Sequence, residues 1–361
     1  MKTIALVCPL ARTFNFREQL IYKLCQLDYH VVLLSENGPE IENFLESGCK
    51  FIEIHMDRRG KNIFNDGRLI RDYYHAIKDI KPDVVLLYTT KCSVYGGMVC
   101  RMLKVPYIVN NAGLIESKGF FSCFLNTLYR IGFSRAACMM YQNCQEQNVV
   151  QKLLKEKTHF RSIPGSGVDV SKYQYTEYPN GDEIIFDFVA RVIKVKGIEE
   201  YLECAKQVHQ KYPQTLFRIY GTLDDDYYRQ KVMEYEKSGY IKYCGQKSDM
   251  RPEIASSSAV IHPSYYEGMT NVVLEHSAMG RPCLGSNIPG VEDAIENGET
   301  GYIFKVRNIN DICDKVSRFI ELPFEAKVQM GKKARKKMEK EFSRKIVTDI
   351  YLEEIQNILS K

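Results

Sequence analysis

The sequence has neither a long apolar run nor the features of an export signal. No stretch of its 361 residues approaches the ~18 consecutive apolar residues that a membrane-spanning helix requires. The short apolar start ends at Cys8-Pro9 and has no small-residue cleavage site, which a signal peptide would need. These absences argue against an integral membrane protein or a secreted one, and they predict a cytoplasmic protein.

The spacing of cysteine and histidine that marks a metal site is also missing. None of the 12 cysteines falls in a C-x-x-C pair, and the 7 histidines are scattered. Many unpaired cysteines in a chain of this length are typical of a reducing compartment, where thiols stay free. We therefore expect free thiols and no bound metal.

Charge is plentiful in both signs but unevenly distributed. The net charge is +5, and residues 1–170 carry 22 Lys and Arg against 16 Asp and Glu. Residues 171–361 carry 28 against 29, and the positive excess is densest over residues 50–135. A basic N-terminal half predicts an acidic partner: a phosphorylated acceptor, an anionic membrane surface or nucleic acid.

Short apolar runs alternate with amphipathic segments along the whole chain. Runs rich in β-branched residues, separated by helices, are typical of parallel sheets that are covered on both faces. The predicted strands are residues 2–8, 30–34, 51–54, 83–88, 106–110, 183–190, 216–220, 240–244, 259–262 and 281–286. The predicted helices are residues 16–27, 38–46, 66–80, 94–103, 197–212, 224–239, 271–279 and 308–320.

This alternation predicts an α/β protein of two Rossmann-like, doubly wound domains that face each other across a cleft. Gly, Ser, Pro, Asn and Tyr replace the apolar periodicity at about residues 164–182. We therefore predict domains at 1–165 and 166–340, and a terminal helix at 341–361 that packs back on the first domain. Open α/β sheets bind ligands at the carboxyl ends of their strands, which places the predicted site in the cleft.

The most informative motif is HPSYYEGMTNVVLE at residues 262–275, which runs from a strand end through a glycine loop into a helix. Gly268 allows a ligand to approach the backbone closely, and the helix is predicted to begin at Thr270 or Asn271. The N–H groups at such a helix start suit an anion such as a diphosphate. Glu267 and Glu275 lie eight residues apart and can address two ends of one extended ligand.

The E-x7-E spacing within P-S-x-x-E-G-x-x-N-x-x-L-E resembles the signature of glycosyltransferase family 4, whose members have the GT-B fold. FVARVIKVKG at 188–197 is similar to the family segment G-R-x-x-x-x-K-G, with Ala190 in place of the first glycine. CGQKSD at 244–249 resembles its nucleoside-binding loop. The resemblance is strongest over residues 160–305. The residues of the motif at 262–275 resemble those of bacterial capsule and exopolysaccharide members most.

The resemblance implies a role for each residue of the donor site. Arg191 and Lys196 would clamp the donor diphosphate, and Glu275 would bind the ribose hydroxyls. Glu267 would bind the sugar and stabilise positive charge near the anomeric carbon. The other implied donor-binding residues are Gly245, Gly268, Met269, Thr270 and Asn271. The resemblance implies no metal and no cofactor, because cations and the helix dipole stabilise the leaving nucleotide.

A competing metal motif is present at Asp224–Asp226, which contains a D-x-D pattern. These carboxylates open a predicted helix, where acidic residues interact favourably with the helix dipole. We therefore interpret them as capping residues.

The N-terminal half departs from the family in its first loop, where PLARTFN at 9–15 replaces the Gly-Gly that many members carry. Arg12 and Asn15 are therefore predicted to face the acceptor. Asn110, Asn111 and Gly113 follow the fifth predicted strand and are predicted on the same side.

The function that the resemblance implies is that of a retaining glycosyltransferase. It would move a hexose or N-acetylhexosamine from a UDP-sugar to a glycan acceptor linked to polyprenyl diphosphate, in cell-envelope polysaccharide synthesis. A UDP-sugar 2-epimerase and a non-catalytic sugar- or nucleic-acid-binding protein are the alternatives. The E-x7-E arrangement argues against the epimerase, and the lack of an interleaved aromatic-basic motif predicts no nucleic-acid partner.

An apolar, aromatic-rich segment, GFFSCFLNTLYRIGF at 119–133, accompanies the basic residues Arg58, Arg59 and Lys61. It is too polar to span a membrane, but such a helix can lie in the interface near anionic headgroups. We predict peripheral association with the inner face of the cytoplasmic membrane. The alternative is that Phe120, Phe124, Leu128 and Ile131 pack on the N-terminal sheet.

Overall fold

The computed structural model of the protein describes residues 1–56, 63–110, 122–154 and 158–361. Contacts divide the chain into two compact units. The first contains Met1–Ser166 and Arg344–Lys361, and the second contains Gly167–Ser343. The C-terminal segment of the chain therefore belongs to the first unit and forms its last helix.

The first unit is built on a parallel sheet with the strand order β3-β2-β1-β4-β5-β6-β7 in its described residues. The central strands β1 and β4 are buried on both faces, which explains their nearly continuous apolar sequences. The strands are β1 Thr3–Leu10, β2 His30–Glu36, β3 Lys50–Glu53, β4 Val84–Tyr88, β5 Tyr107–Asn110, β6 Cys138–Tyr141 and β7 Phe160–Ser162.

Helices cover both faces of this sheet and separate its core into two clusters. The last helix, α14 Arg344–Leu359, supplies Val347, Tyr351 and Ile355 to one of them. A 3-10 helix at Ala11–Arg17 follows β1. The other helices are α1 Glu18–Gln26, α2 Ile41–Glu46, α3 Ile63–Ile80, α4 Thr90–Leu103, α5 Ser122–Phe133 and α6 Cys144–Leu154.

The second unit is also a parallel α/β sandwich, with the strand order β10-β9-β8-β11-β12-β13. The strands are β8 Ile184–Val189, β9 Thr215–Tyr220, β10 Lys242–Gly245, β11 Ala259–His262, β12 Cys283–Ser286 and β13 Gly301–Phe304. The helices are α7 Ile198–Lys211, α8 Asp226–Lys237, α9 Arg251–Ser256, α10 Asn271–Ala278, α11 Pro289–Glu292, α12 Ile309–Glu321 and α13 Phe324–Glu341. Two parallel-sheet α/β units confirm the predicted fold class.

The strand order of the second unit reverses direction between β8 and β11, which are neighbours in the sheet. In doubly wound sheets the loops on either side of such a reversal diverge and leave a crevice at the carboxyl ends of the strands. The loops after β8 and β11 contain the two strongest sequence motifs. The topology therefore brings those motifs to one place.

Three strands, β6, β7 and β13, were not predicted. The sequence of β6 is CMMY, which lacks β-branched residues, and β7 has only three residues. The four residues of β13 begin with a glycine, which is depleted in strands. All three are short, so their sequences carry little signal by themselves, and pairing with neighbouring strands in the sheet fixes their conformation.

Within the described ranges of the chain, no helix is both long and apolar enough to cross a membrane.

Candidate functional site

Two loops of the second unit are fixed against each other at the carboxyl ends of β8 and β11. Gly197 has a φ of +75°, and a Cβ atom there would lie 2.1 Å from the carbonyl oxygen of Pro263. The Tyr265 N–H donates a hydrogen bond to the Val195 carbonyl at 3.0 Å. Only glycine permits this conformation and this close approach, so the loop after β8 depends on Gly197 to contact the loop after β11.

Glu267 lies at this contact, and three side chains donate to its Oε1 atom. The distances are 2.5 Å from Lys196 Nζ, 2.8 Å from Ser264 Oγ and 3.2 Å from His262 Nε2. An ionised carboxylate only accepts hydrogen bonds, so the imidazole donates from Nε2. The structure thus brings together Lys196 and Glu267, two of the predicted site residues that are 71 positions apart.

The surroundings of Glu267 keep its carboxylate ionised. Burial by itself raises the pKa, and the Glu267 side chain is only 16% exposed. The hydrogen bonds and favourable electrostatics of His262 and Lys196 outweigh burial and lower the pKa of Glu267 to about 2. At neutral pH this group is a fixed negative charge and has no proton to donate.

Helix α10 starts directly after this carboxylate. Its N-cap is Thr270, and the helix ends before Gly280, whose φ is +77°. The N–H groups of a first turn have no acceptor inside the helix, and they form its positive end. Gly290, at the start of α11, approaches the loop between β11 and α10. A Cβ atom at Gly290 would lie 1.8 Å from the Gly268 carbonyl in that loop. Glu275 is half-buried, one turn into the helix.

A pocket of about 240 Å³ lies at the carboxyl ends of β8, β9 and β10. Arg191, which is exposed, lines it together with Thr222, Gln246 and Lys247. The carbonyl of Gly245 accepts the N–H of Gly221 at 3.0 Å and so joins β9 to β10 at the pocket. The predicted diphosphate-binding arginine and the predicted nucleoside loop therefore share one pocket.

A buried ion pair contacts Tyr220, which lines this pocket, and the sequence does not reveal that pair. Arg218 donates to both carboxylate oxygens of Asp187, at 2.7 and 3.0 Å. Its guanidinium also stacks on Tyr220, whose hydroxyl donates to Glu253 at 2.7 Å. Asp187 and Arg218 sit in the middle of apolar strands with no motif around them, so no sequence signal distinguishes their pairing.

The acidic run at Asp224–Asp226 has the capping role that was predicted for it. Asp225 is the N-cap of α8, and its Oδ1 accepts the N–H groups of Tyr227 at 2.9 Å and Tyr228 at 3.4 Å. The two carboxylates of the D-x-D pattern have other partners: Asp224 accepts from the Thr222 hydroxyl at 3.1 Å, and Asp226 lies 3.5 Å from the Arg229 guanidinium.

Among the described residues, one group of His, Cys and carboxylate side chains is close enough to share a cation. Cys138, His159 and Glu354 place their ligand atoms within 4.8 Å of one another in the first unit. His159 Nε2 already lies 3.0 Å from a Glu354 oxygen, and Arg161 is 3.9 Å from the same carboxylate. The contacts with His159 and Arg161 therefore account for the Glu354 carboxylate within the first unit.

The predicted acceptor-side residues have different surroundings in the first unit. Arg12 and Asn15 are exposed on the 3-10 helix that follows β1. Asn110 is buried, and its amide donates to the Tyr351 hydroxyl at 2.7 Å, in helix α14. This internal hydrogen bond corrects the expectation that the Asn110 side chain faces an acceptor. Asn111 and Gly113 lie outside the described residues.

Two family models match the chain, one in each half. Residues 3–143 match the model described as glycosyl transferase 4-like. Residues 174–337 match the model described as glycosyl transferases group 1. The second match contains both site loops and helix α10.

Individual relatives span most of the chain. An N,N'-diacetylbacillosaminyl-diphospho-undecaprenol alpha-1,3-N-acetylgalactosaminyltransferase of Campylobacter jejuni is 23% identical over 337 residues, which cover 86% of this chain and 87% of that protein. The capsular polysaccharide biosynthesis glycosyltransferase CapM of Staphylococcus aureus is 23% identical over 359 residues, which cover 93% and 91%. The structure of Anabaena HepE in complex with UDP and glucose matches with a TM-score of 0.81 and 14% identity, over 99% of this chain and all of that one.

Two parallel-sheet α/β units, with the site loops at a topological switch point, define the GT-B class of fold. The motifs and both family models place the chain within that class: it belongs to glycosyltransferase family 4. It is a glycosyltransferase that resembles bacterial capsule and polysaccharide enzymes.

Proposed function

We propose that the protein is a retaining glycosyltransferase that moves a hexose or N-acetylhexosamine from a UDP-sugar to a lipid-diphosphate-linked glycan. The observation that carries the proposal is the position of Glu267. This carboxylate is held as an anion against Lys196, directly before the positive end of α10. This arrangement supports the proposal, because breaking a sugar–diphosphate bond builds charges of both signs.

The chemistry follows from those charges. Cleavage of the donor builds negative charge on the β-phosphate oxygen, which Arg191, Lys196 and the first N–H groups of α10 would stabilise. The sugar side becomes positive at its anomeric carbon, and the Glu267 carboxylate would stabilise it. Because its pKa is about 2, Glu267 acts through charge and hydrogen bonding and does not supply a proton. Protein cations and helix N–H groups would stabilise the leaving diphosphate in place of a metal ion.

The nature of the donor and acceptor is supported by the relatives. The Anabaena protein was solved with UDP and glucose, and the Campylobacter enzyme is named for an undecaprenol-diphosphate acceptor. The Staphylococcus protein is named for capsule synthesis. We therefore propose a role in cell-envelope polysaccharide synthesis, with a polyprenyl-diphosphate glycan as acceptor.

A lipid-linked acceptor calls for access to a membrane surface, and helix α5 supports such access. Its Leu128 and Phe133 pack in the core of the first unit, whereas Phe124 is 54% exposed and Ile131 is also exposed. One side of α5 therefore has the packing role that the sequence allowed, which leaves its exposed side for the membrane role. We propose that its exposed side contacts the inner face of the cytoplasmic membrane. Phe120, Arg58, Arg59 and Lys61 lie outside the described residues.

The test is to incubate the purified protein with a panel of UDP-sugars and polyprenyl-diphosphate glycans, and to measure UDP release. Nuclear magnetic resonance of the product determines whether the anomeric configuration is retained. We expect acceptor-dependent UDP release, an α-linked product from an α-linked donor, and full activity in EDTA. An inverted product, or loss of activity in EDTA that Mg²⁺ restores, would contradict the proposed chemistry. Conversion of the UDP-sugar without acceptor would support an epimerase.

A further inference from the structure

We propose that His262 is the positioning residue of this site: it holds the Glu267 carboxylate in place while the donor occupies Lys196. The inference rests on the proposed function, because it assigns Glu267 to the donor sugar and Lys196 to the diphosphate. It concerns a residue that the sequence interpretation left as packing.

His262 has the rigidity that positioning requires. It is the last residue of β11 and pairs in parallel register with Gly285 of β12. Its side chain is buried, and Nε2 lies 3.2 Å from Glu267 Oε1. Groups that hold a functional side chain act best from a rigid element, whereas Glu267 itself lies on the loop that follows the strand.

The other two donors to Glu267 are less suited to this task. Lys196 carries a long flexible side chain, and a diphosphate would compete with Glu267 for its ammonium group. Ser264 lies on the same loop as Glu267, so it moves with the carboxylate. Of the three donors that the structure describes for Glu267, His262 is the one carried by a strand. When the Lys196 ammonium group binds the diphosphate, the His262 imidazole still holds the Glu267 carboxylate in position.

The contacts also orient the carboxylate. All three donors meet Oε1, and no described residue donates to Oε2. Oε2 is thus the oxygen that stays available for a hydroxyl group of the donor sugar. The hydrogen bond from His262 therefore fixes which carboxylate oxygen faces the substrate and at what angle.

Two substitutions separate the hydrogen bond of His262 from its packing. In His262→Gln the amide nitrogen can take the place of Nε2 and still donate to Glu267, whereas His262→Leu fills similar volume without a donor. We expect His262→Leu to lower kcat by about tenfold to hundredfold, the loss of one hydrogen bond to a charged group, with UDP affinity within about twofold of wild type. His262→Gln should recover most of kcat. His209→Leu, at the far end of α7, is the matched control for loss of a histidine, because His209 meets the Thr215 carbonyl and the edge of the Tyr240 ring and no residue of the site loops.

A second measurement does not depend on turnover. The pKa of Glu267 is followed by carbon NMR of protein labelled at glutamate, with a Glu267→Gln sample to assign the signal. His262→Leu should raise this pKa towards its ordinary value, and His262→Gln, which keeps the hydrogen bond but loses the favourable electrostatics of His262, should raise it less. The folded state of each variant is checked by circular dichroism and thermal unfolding.

Wild-type kcat in His262→Leu, or an unchanged Glu267 pKa in that variant, would overturn the inference. Equal losses of kcat in folded Leu and Gln variants would also overturn it, because packing rather than the hydrogen bond would then matter. If the wild-type protein itself transfers no sugar, the proposed function fails. In that case the pKa of Glu267 in the two variants still decides whether His262 positions the carboxylate.

Discussion

The charge on Glu267 should contribute measurably to stability, and the substitution Glu267→Gln tests this. The pKa of this carboxyl is lowered from 4.5 to about 2 in the folded protein. At 1.36 kcal/mol per pKa unit, the ionised group stabilises the fold by about 3 kcal/mol at pH 7. A carboxyl with a lowered folded-state pKa contributes stability that is present above pH 4.5 and is lost as the pH falls towards 2. The contribution should decline to roughly 2 kcal/mol by pH 3.5.

The assay is urea unfolding of the wild type and Glu267→Gln at pH 7, 5 and 3.5. The difference between the two free energies of unfolding cancels the groups that titrate equally in both proteins. We expect that difference to be largest at pH 7 and to shrink at pH 3.5. A difference that stays constant over this range would refute the reasoning, because the variant would then act through packing alone.

A matched control is Asp249→Asn. The pKa of Asp249 is also lowered to about 2, by the hydrogen bonds that Arg251 donates, but the Asp249 side chain is 45% exposed. Water and salt screen such a surface pair, so it should contribute little, and what it contributes should vanish at high salt. The effect of Glu267→Gln should persist at high salt. Equal salt sensitivity of the two variants would show that Glu267 is not held in a protected site.

Three further outcomes are expected. Lys196→Ala should reduce turnover by at least ~100-fold, since it removes a charge that stabilises the leaving diphosphate. Lys194→Ala should have little effect on turnover, because Lys194 is exposed and lies 3.8 Å from Glu199. Similar losses of turnover in both lysine variants would contradict the proposal that Lys196 binds the diphosphate. Glu275→Ala should mainly weaken UDP binding, whereas Glu267→Ala should mainly lower kcat. Calorimetric titration with UDP and steady-state rates distinguish the two effects. Equal losses of UDP affinity in both variants would contradict these separate roles of Glu275 and Glu267. Finally, the protein should sediment with anionic vesicles at low salt and less so after Phe124→Ser; failure of the wild type to bind would contradict the membrane proposal.

The local features of this protein could be read from its sequence because their causes are local. Alternation of apolar runs with amphipathic segments reports burial within a few residues, and it correctly predicted the parallel α/β architecture. The loop and helix start at residues 262–275 form one contiguous motif, so the glycine, the cap and both glutamates were visible together. Asp225 was correctly interpreted as a cap because its acceptors, the Tyr227 and Tyr228 N–H groups, are two and three residues away.

Contacts between distant segments were decided by the tertiary structure alone. The resemblance assigned Lys196 and Glu267 to one donor site, but nothing in the sequence indicates that they hydrogen-bond, that His262 donates to the same oxygen, or that Arg218 pairs with Asp187. The Lys196–Glu267 and Arg218–Asp187 contacts depend on which strands are neighbours in the sheet, and strand order is set by packing of the whole unit, whereas the His262–Glu267 contact depends on the conformation of the loop after β11. Asn110 shows the same limit: its position at a strand end was predictable, but its partner Tyr351 is 241 residues away. Local sequence patterns therefore predict most of the elements and the chemical types at the site, while the order of the strands decides which distant groups touch.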